Sequence, residues 1–156
     1  MRTPILFVLF ALLGTSALPA AASTQATQAA TEVYKLAIDP SVGLIDAADS
    51  MRLRANKLNL QLVAELPLSR QVEAMTGTAQ RTITIFQFCD AITAKELIQI
   101  NLDFSIYMPC RIALIEDDKG QGWLVMMDVN VDAVAREKRL PAHLKARVQG
   151  VRQSLV

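Results

Sequence analysis

The sequence predicts an α+β domain, a mainly antiparallel sheet with helices packed on one face. Three observations predict it. Two strand-like runs, Cys110 to Glu116 and Trp123 to Val129, flank the polar turn Asp117-Asp118-Lys119-Gly120, which marks a β-hairpin. Segments with apolar residues at helical three- and four-residue steps stand between other strand-like runs. The resulting order is strand, helix, strand, strand, helix, strand, strand, helix, without internal repeats.

The chain of 156 residues is sized for one domain. Its opening reads as a cleavable signal peptide, residues 1–22. Arg2 supplies a positive start, Ile5 to Leu13 an apolar run, and Ala20-Ala21-Ala22 small residues before Ser23. The run is only about ten residues, against the ~20 that a membrane-spanning helix needs. Residues 23–31 are Ala, Thr and Gln without periodicity and read as a disordered leader. The domain is expected over 32–156, exported to a periplasm or to the exterior, with no membrane attachment after cleavage.

Val33, Leu36 and Ile38 form a short strand that stops at Pro40 and Gly43. Leu44, Ala47, Ala48, Met51, Ala55 and Leu58 then recur as a helical stripe, with Ser41 as its expected cap. Leu60, Leu62, Ala64 and Leu66 alternate as a half-buried strand ended by Pro67. Leu68 to Thr76 reads as a short helix with Ser69 as cap and Gly77 as terminator. Thr82 to Cys89 is the strongest strand signal, with Ile83 and Ile85 on one face and Phe86 and Phe88 on the other. Such a strand should be covered on both sides or bent by a bulge. Asp90 to Ile100 reads as a helix capped by Asp90 or Thr93, and Asn101 to Met108 as a loop or extended segment. After the hairpin, Val131 to Arg139 and Pro141 to Leu155 read as two helices. Leu144, Val148, Val151 and Leu155 give the second its apolar stripe.

The chain is 52% hydrophobic, but much of that excess lies in the signal segment. One of the 16 basic residues, Arg2, leaves with it, so the mature domain balances its 15 acidic residues at a formal charge of zero. A neutral domain lacks the basic field that binds nucleic acid or anionic membranes.

Cys89 and Cys110 are the two cysteines, and an oxidising compartment favours joining them. If their strands are antiparallel, both lie at one edge of the sheet. If parallel, they lie a strand length apart, beyond the ~7 Å that a disulfide spans. Three readings stay open: a structural disulfide, reduced thiols, and a functional thiol pair or soft-metal site. The third draws on Arg111 beside Cys110 and on a helix start after Cys89, which lower a thiol pKa, while Asp90 opposes them. Met108 is the one nearby soft ligand for copper or zinc.

Nothing else carries chemistry. His143 is a solitary surface histidine, and Glu116, Asp117 and Asp118 lack the spacing of a calcium loop. Trp123 reads as a core or dimer contact. No nucleophile–base set and no glycine-rich phosphate loop exist, and no cofactor or metal is implied.

Three groups of residues carry a resemblance: Phe88-Cys89-Asp90, Met108-Pro109-Cys110-Arg111, and Ile115-Glu116-Asp117-Asp118 with Gly120. In that order they resemble the family called domain of unknown function 302. Its members carry a strand ending in Cys-Asn-Pro or Gly-Asn-Pro, a helix, a Leu-Pro-Cys-Arg or Leu-Pro-Leu strand start, and an acidic hairpin. Here Asp90-Ala91 replaces Asn-Pro, and Gln121-Gly122 lengthens the turn. The resemblance implies a compact α+β fold of the TATA-binding-protein type, often paired as a homodimer, and no settled activity. The expected function is an exported, non-enzymatic module that binds a small ligand or a protein partner. The alternatives are a redox or sulfur-handling accessory using Cys89 and Cys110, or a soft-metal binder. Asp90, Met108 and Arg111 are the expected neighbours of the site.

Overall fold

The computed structural model describes residues 31–155. The expected signal peptide and all of the expected leader except Thr31 lie outside the described residues. The elements are β1 (Thr31–Ala37), α1 (Leu44–Lys57), β2 (Gln61–Leu66), α2 (Leu68–Thr76), β3 (Ile83–Cys89) and α3 (Ala91–Ile100). A 3₁₀ helix (Leu102–Tyr107), β4 (Cys110–Glu116), β5 (Gly122–Val129), α4 (Val131–Glu137) and α5 (Ala142–Leu155) complete the chain. The strands form one sheet in the order β1-β5-β4-β3-β2, and every neighbouring pair is antiparallel.

Side chains alternate across a strand, and β3 sorts them sharply. Phe86 and Phe88 are each 1% exposed, and their rings stack 6.3 Å apart. Ile112 and Leu114 of β4 join them from the same face, with Leu124 and Met126 of β5 packed alongside. Ala48 and Ala55 of α1 cover this floor because small residues let the helix lie close. Arg52 leaves that helix on its β2 side, stacks 5.2 Å over the Phe86 ring and pairs with Glu65 at 2.7 Å. Fully burying one such phenylalanine contributes about 1.5–3 kcal/mol.

A second cluster joins Leu97 of α3, Phe104, Val134 of α4 and Leu144 of α5. The predicted stripe of α5 bridges the two, since Val148 packs on the second cluster while Val151 and Leu155 pack on the first.

Apart from Val129 at the end of β5, which packs on the second cluster, the opposite face of the sheet contributes no side chain to either buried core. Registered rows cross it: Ile83, Ile115 and Trp123 in one, Ile85, Ala113 and Val125 in the next. Val33 and Met127 pair beyond them, 67% and 39% exposed. Of the two outcomes expected for β3, cover on both faces or a bulge, the phenylalanine face is buried, the isoleucine face is half-buried, and the pairing with β2 carries a register shift between Leu62 and Ala64.

Smaller corrections have local causes. Thr31, expected in the leader, already pairs with Val129 in β1. The N-cap of α1 is Gly43, because Ser41 is held by the Asp39 carboxylate through its N–H at 2.8 Å and its hydroxyl at 2.7 Å. Ser69 caps nothing; it is buried and bridges to the backbone of Ile83. In β2 the register shifts between Leu62 and Ala64, and this edge strand leaves Leu62 and Leu66 each 40% exposed. The stretch after α3 coils into the 3₁₀ helix because the Asn101 side chain accepts the Asp103 N–H at 2.8 Å.

Candidate functional site

The candidate site forms where the sheet edge holding both cysteines meets α3, α4 and α5. Cys89 ends β3, and the chain turns at once into α3. Asp90 makes that turn: its Oδ1 accepts the N–H groups of Ile92 and Thr93, both at 3.1 Å, and its Oδ2 accepts the Thr93 hydroxyl. Asp90 is thus the helix cap that satisfies donors with no intrahelical partner. Burial raises its carboxyl, but the Thr93 hydroxyl and N–H, with Arg147 nearby, hold it below the usual range.

An apolar cavity of about 140 Å³ lies behind this cap. Leu97, Phe104, Val134, Ala135 and Val148 supply much of its wall, and Cys89 and Cys110 border it at the sheet edge. Asp90, Met108 and Arg111 line it too, so the structure gathers all five sequence-predicted residues around one space. On the β5 side an ion pair closes it, Arg152 Nη2 donating to Asp128 Oδ2 at 2.7 Å.

The thiols are both free. The expected disulfide is corrected by the register of the sheet. Phe88, not Cys89, stands opposite Cys110, and successive side chains leave a strand on opposite faces. The antiparallel pairing brings the cysteines to the same edge but one position out of step. The expected lowering of their pKa is corrected as well. Burial and then the Asp90 carboxylate push the Cys89 thiol up, and burial and then Cys89 push Cys110 up to about 11. Arg111 does not offset this, since it is exposed to solvent, which screens its charge. Both sulfurs are protonated at neutral pH, the form that neither attacks nor ligates. Among the described residues, no three of the His, Cys, Asp and Glu side chains gather as metal ligands.

The remaining singled-out residues serve the fold. Asp117 organises the hairpin turn: its carboxylate accepts the Lys119 and Gln121 N–H groups at 2.8 and 3.0 Å and the Trp123 indole N–H at 2.9 Å. His143 is exposed near the start of α5. Sequence reading missed the cavity itself, because its wall comes from α3, α4, α5 and the 3₁₀ helix, whose apolar residues look like ordinary core.

The family model "Domain of unknown function DUF302" matches residues 34–155. The chain belongs to this family. The DUF302 match spans every helix from α1 to α5 and all of the sheet except the first three residues of β1. Its fold is similar to that in the crystal structure of an uncharacterised conserved DUF302 protein from Bacillus stearothermophilus, with a TM-score of 0.62. At 12% identity that likeness covers 79% of this chain and 91% of the other. It places the α+β architecture of the DUF302 domain and nothing finer. No curated protein matches the chain. No helix among the described residues is long and apolar enough to cross a membrane.

Proposed function

We propose that this DUF302 domain is an exported, non-enzymatic binding module whose ligand is a small apolar molecule held in the cysteine-lined cavity. The cavity carries the reading. Protein cores pack to crystal density, so an apolar space of about 140 Å³ set between the sheet edge and three helices departs from ordinary core packing. A cavity of ~150 Å³ lined by aliphatic and aromatic side chains accepts benzene, which sets the ligand's scale. Two protonated thiols suit such a guest, since a thiol packs as a small hydrophobe. The test is calorimetric titration with benzene. The native protein binds it, and Ala135→Phe, which fills the space, does not; absence of heat in the native protein refutes the reading. Export predicts a mature chain starting at Ser23, which intact mass of the secreted protein checks.

The bare sheet face favours a second reading, in which the module also pairs with a copy of itself. Five strands of about seven residues present a face of ~24 by ~23 Å, so a twofold pair buries roughly 1,100 Å². A specific interface needs about 1,000 Å², and two sheets stack well at ~10 Å. Sedimentation equilibrium tests it: a dimer in the native protein and a monomer in Val125→Glu support it, and a native monomer at about 0.1 mM contradicts it.

A further inference from the structure

The helix layer stops short of β1. A second cavity, of about 400 Å³, runs between α1 and that edge strand. This lies within the ~300–1,000 Å³ of small-molecule sites. Its floor is Leu124 and Met126 of β5, its outer wall Leu36 of β1, and Leu155 closes one end. Leu36 is 47% exposed, so the wall opens to solvent along its length.

The ionisable residues lining this groove are Asp39, Arg54 and the Tyr34 phenol. The Asp39 carboxylate is already engaged by the Ser41 N–H and hydroxyl. Arg54 stands on the β1-facing flank of α1, opposite to Arg52, whose guanidinium is spent on Asp49 and Glu65. Among the described residues Arg54 makes no ion pair. Its charge is not required by the helix end, because Lys57 supplies a cation in the same last turn. The groove is therefore apolar along its length with one unneutralised cation at its rim.

We infer that this groove binds a medium-chain fatty acid, the carboxylate on Arg54 and the acyl chain along Leu36, Leu124 and Met126. A guanidinium and a carboxylate match in charge and in planar geometry, and the hydrocarbon is shielded by the aliphatic floor. The site is separate from the cysteine-lined cavity, although Met126 and Leu155 border both.

The experiment compares decanoate with decanol by calorimetric titration of the full protein. Decanoate binds the native protein at least about tenfold more tightly than decanol, and Arg54→Gln removes that preference while leaving decanol unchanged. Arg54→Lys keeps most of it. Leu36→Glu, at an exposed edge position, weakens decanoate by a like factor. Equal binding of the two ligands, undiminished decanoate binding in Arg54→Gln, or no binding of either overturns the inference. Benzene binding that Ala135→Phe abolishes reads the other cavity, which Ala135 lines and the groove does not share, so the two sites fail or stand separately.

Discussion

At the scale of single residues, the cysteines show how far a sequence reaches. Their types, their number and their place at two strand ends were all legible; their shared edge followed only in the antiparallel case, which the sheet adopts. What no spacing shows is register. One residue decides whether two side chains meet across a ladder or leave on opposite faces. Burial was equally hidden, and burial sets the thiol chemistry. Alkylation needs the thiolate, so Cys110, with its pKa raised to about 11, reacts with iodoacetamide a few hundredfold more slowly, about 240-fold by thiolate fraction, at pH 8 than a free cysteine of pKa ~8.5. Its rate keeps climbing beyond pH 9. The linkage has a definite sign. A folded-state thiol pKa above the unfolded value means that stability is intact below about pH 8.5 and falls as pH rises through about 11, which alkaline unfolding curves would show. Asp90 carries the opposite sign, because its carboxyl is held low; its contribution is present above about pH 4 and fades in acid. Asp90→Ala loses the α3 cap and about 1 kcal/mol by urea denaturation at neutral pH.

At the scale of elements, the strands and helices of the core were legible because their periodicities are strong. The faces of β3 and the stripe of α5 are where the residue pattern puts them. The misread features are those that tertiary contacts decide. Ser69 has the chemistry of a cap, yet the backbone of Ile83 recruits it. Two helix ends were hidden for another reason: they use left-handed residues other than glycine. Asn59 (φ 55°) ends α1 and Arg139 (φ 54°) follows α4. In each case the next leucine N–H reaches back five residues, Leu60 to Ala55 at 2.9 Å and Leu140 to Ala135 at 2.8 Å. This is the Schellman pattern, and glycine is its usual sign. Arg139→Gly should therefore stabilise the protein, by about 0.5–1 kcal/mol in thermal unfolding. Gly122 has the converse constraint. A Cβ there would stand 2.6 Å from Leu44 Cδ2 and 3.2 Å from Ile38 Cδ1, so Gly122→Ala makes the Leu44 side chain shift and costs about 1 kcal/mol.

At the scale of the molecule, the sheet divides two surfaces with different tasks. The helix side holds both cavities, and the opposite side is the apolar face proposed to pair. Because the sheet separates them, Val125→Glu is expected to dissociate a dimer while leaving benzene binding intact. The fold class was legible from hairpin and helix signals alone. The cavity was not, since a space is made by residues distant in sequence that fail to fill it. The most direct measurement of the central claim uses the Cys110 thiol as a reporter inside that space. Alkylation of Cys110 is followed at pH 9 with and without saturating benzene, in the native protein and in Ala135→Phe. Occupancy predicts at least several-fold protection in the native protein and none in the filled variant. Equal alkylation rates with and without benzene in the native protein would contradict it.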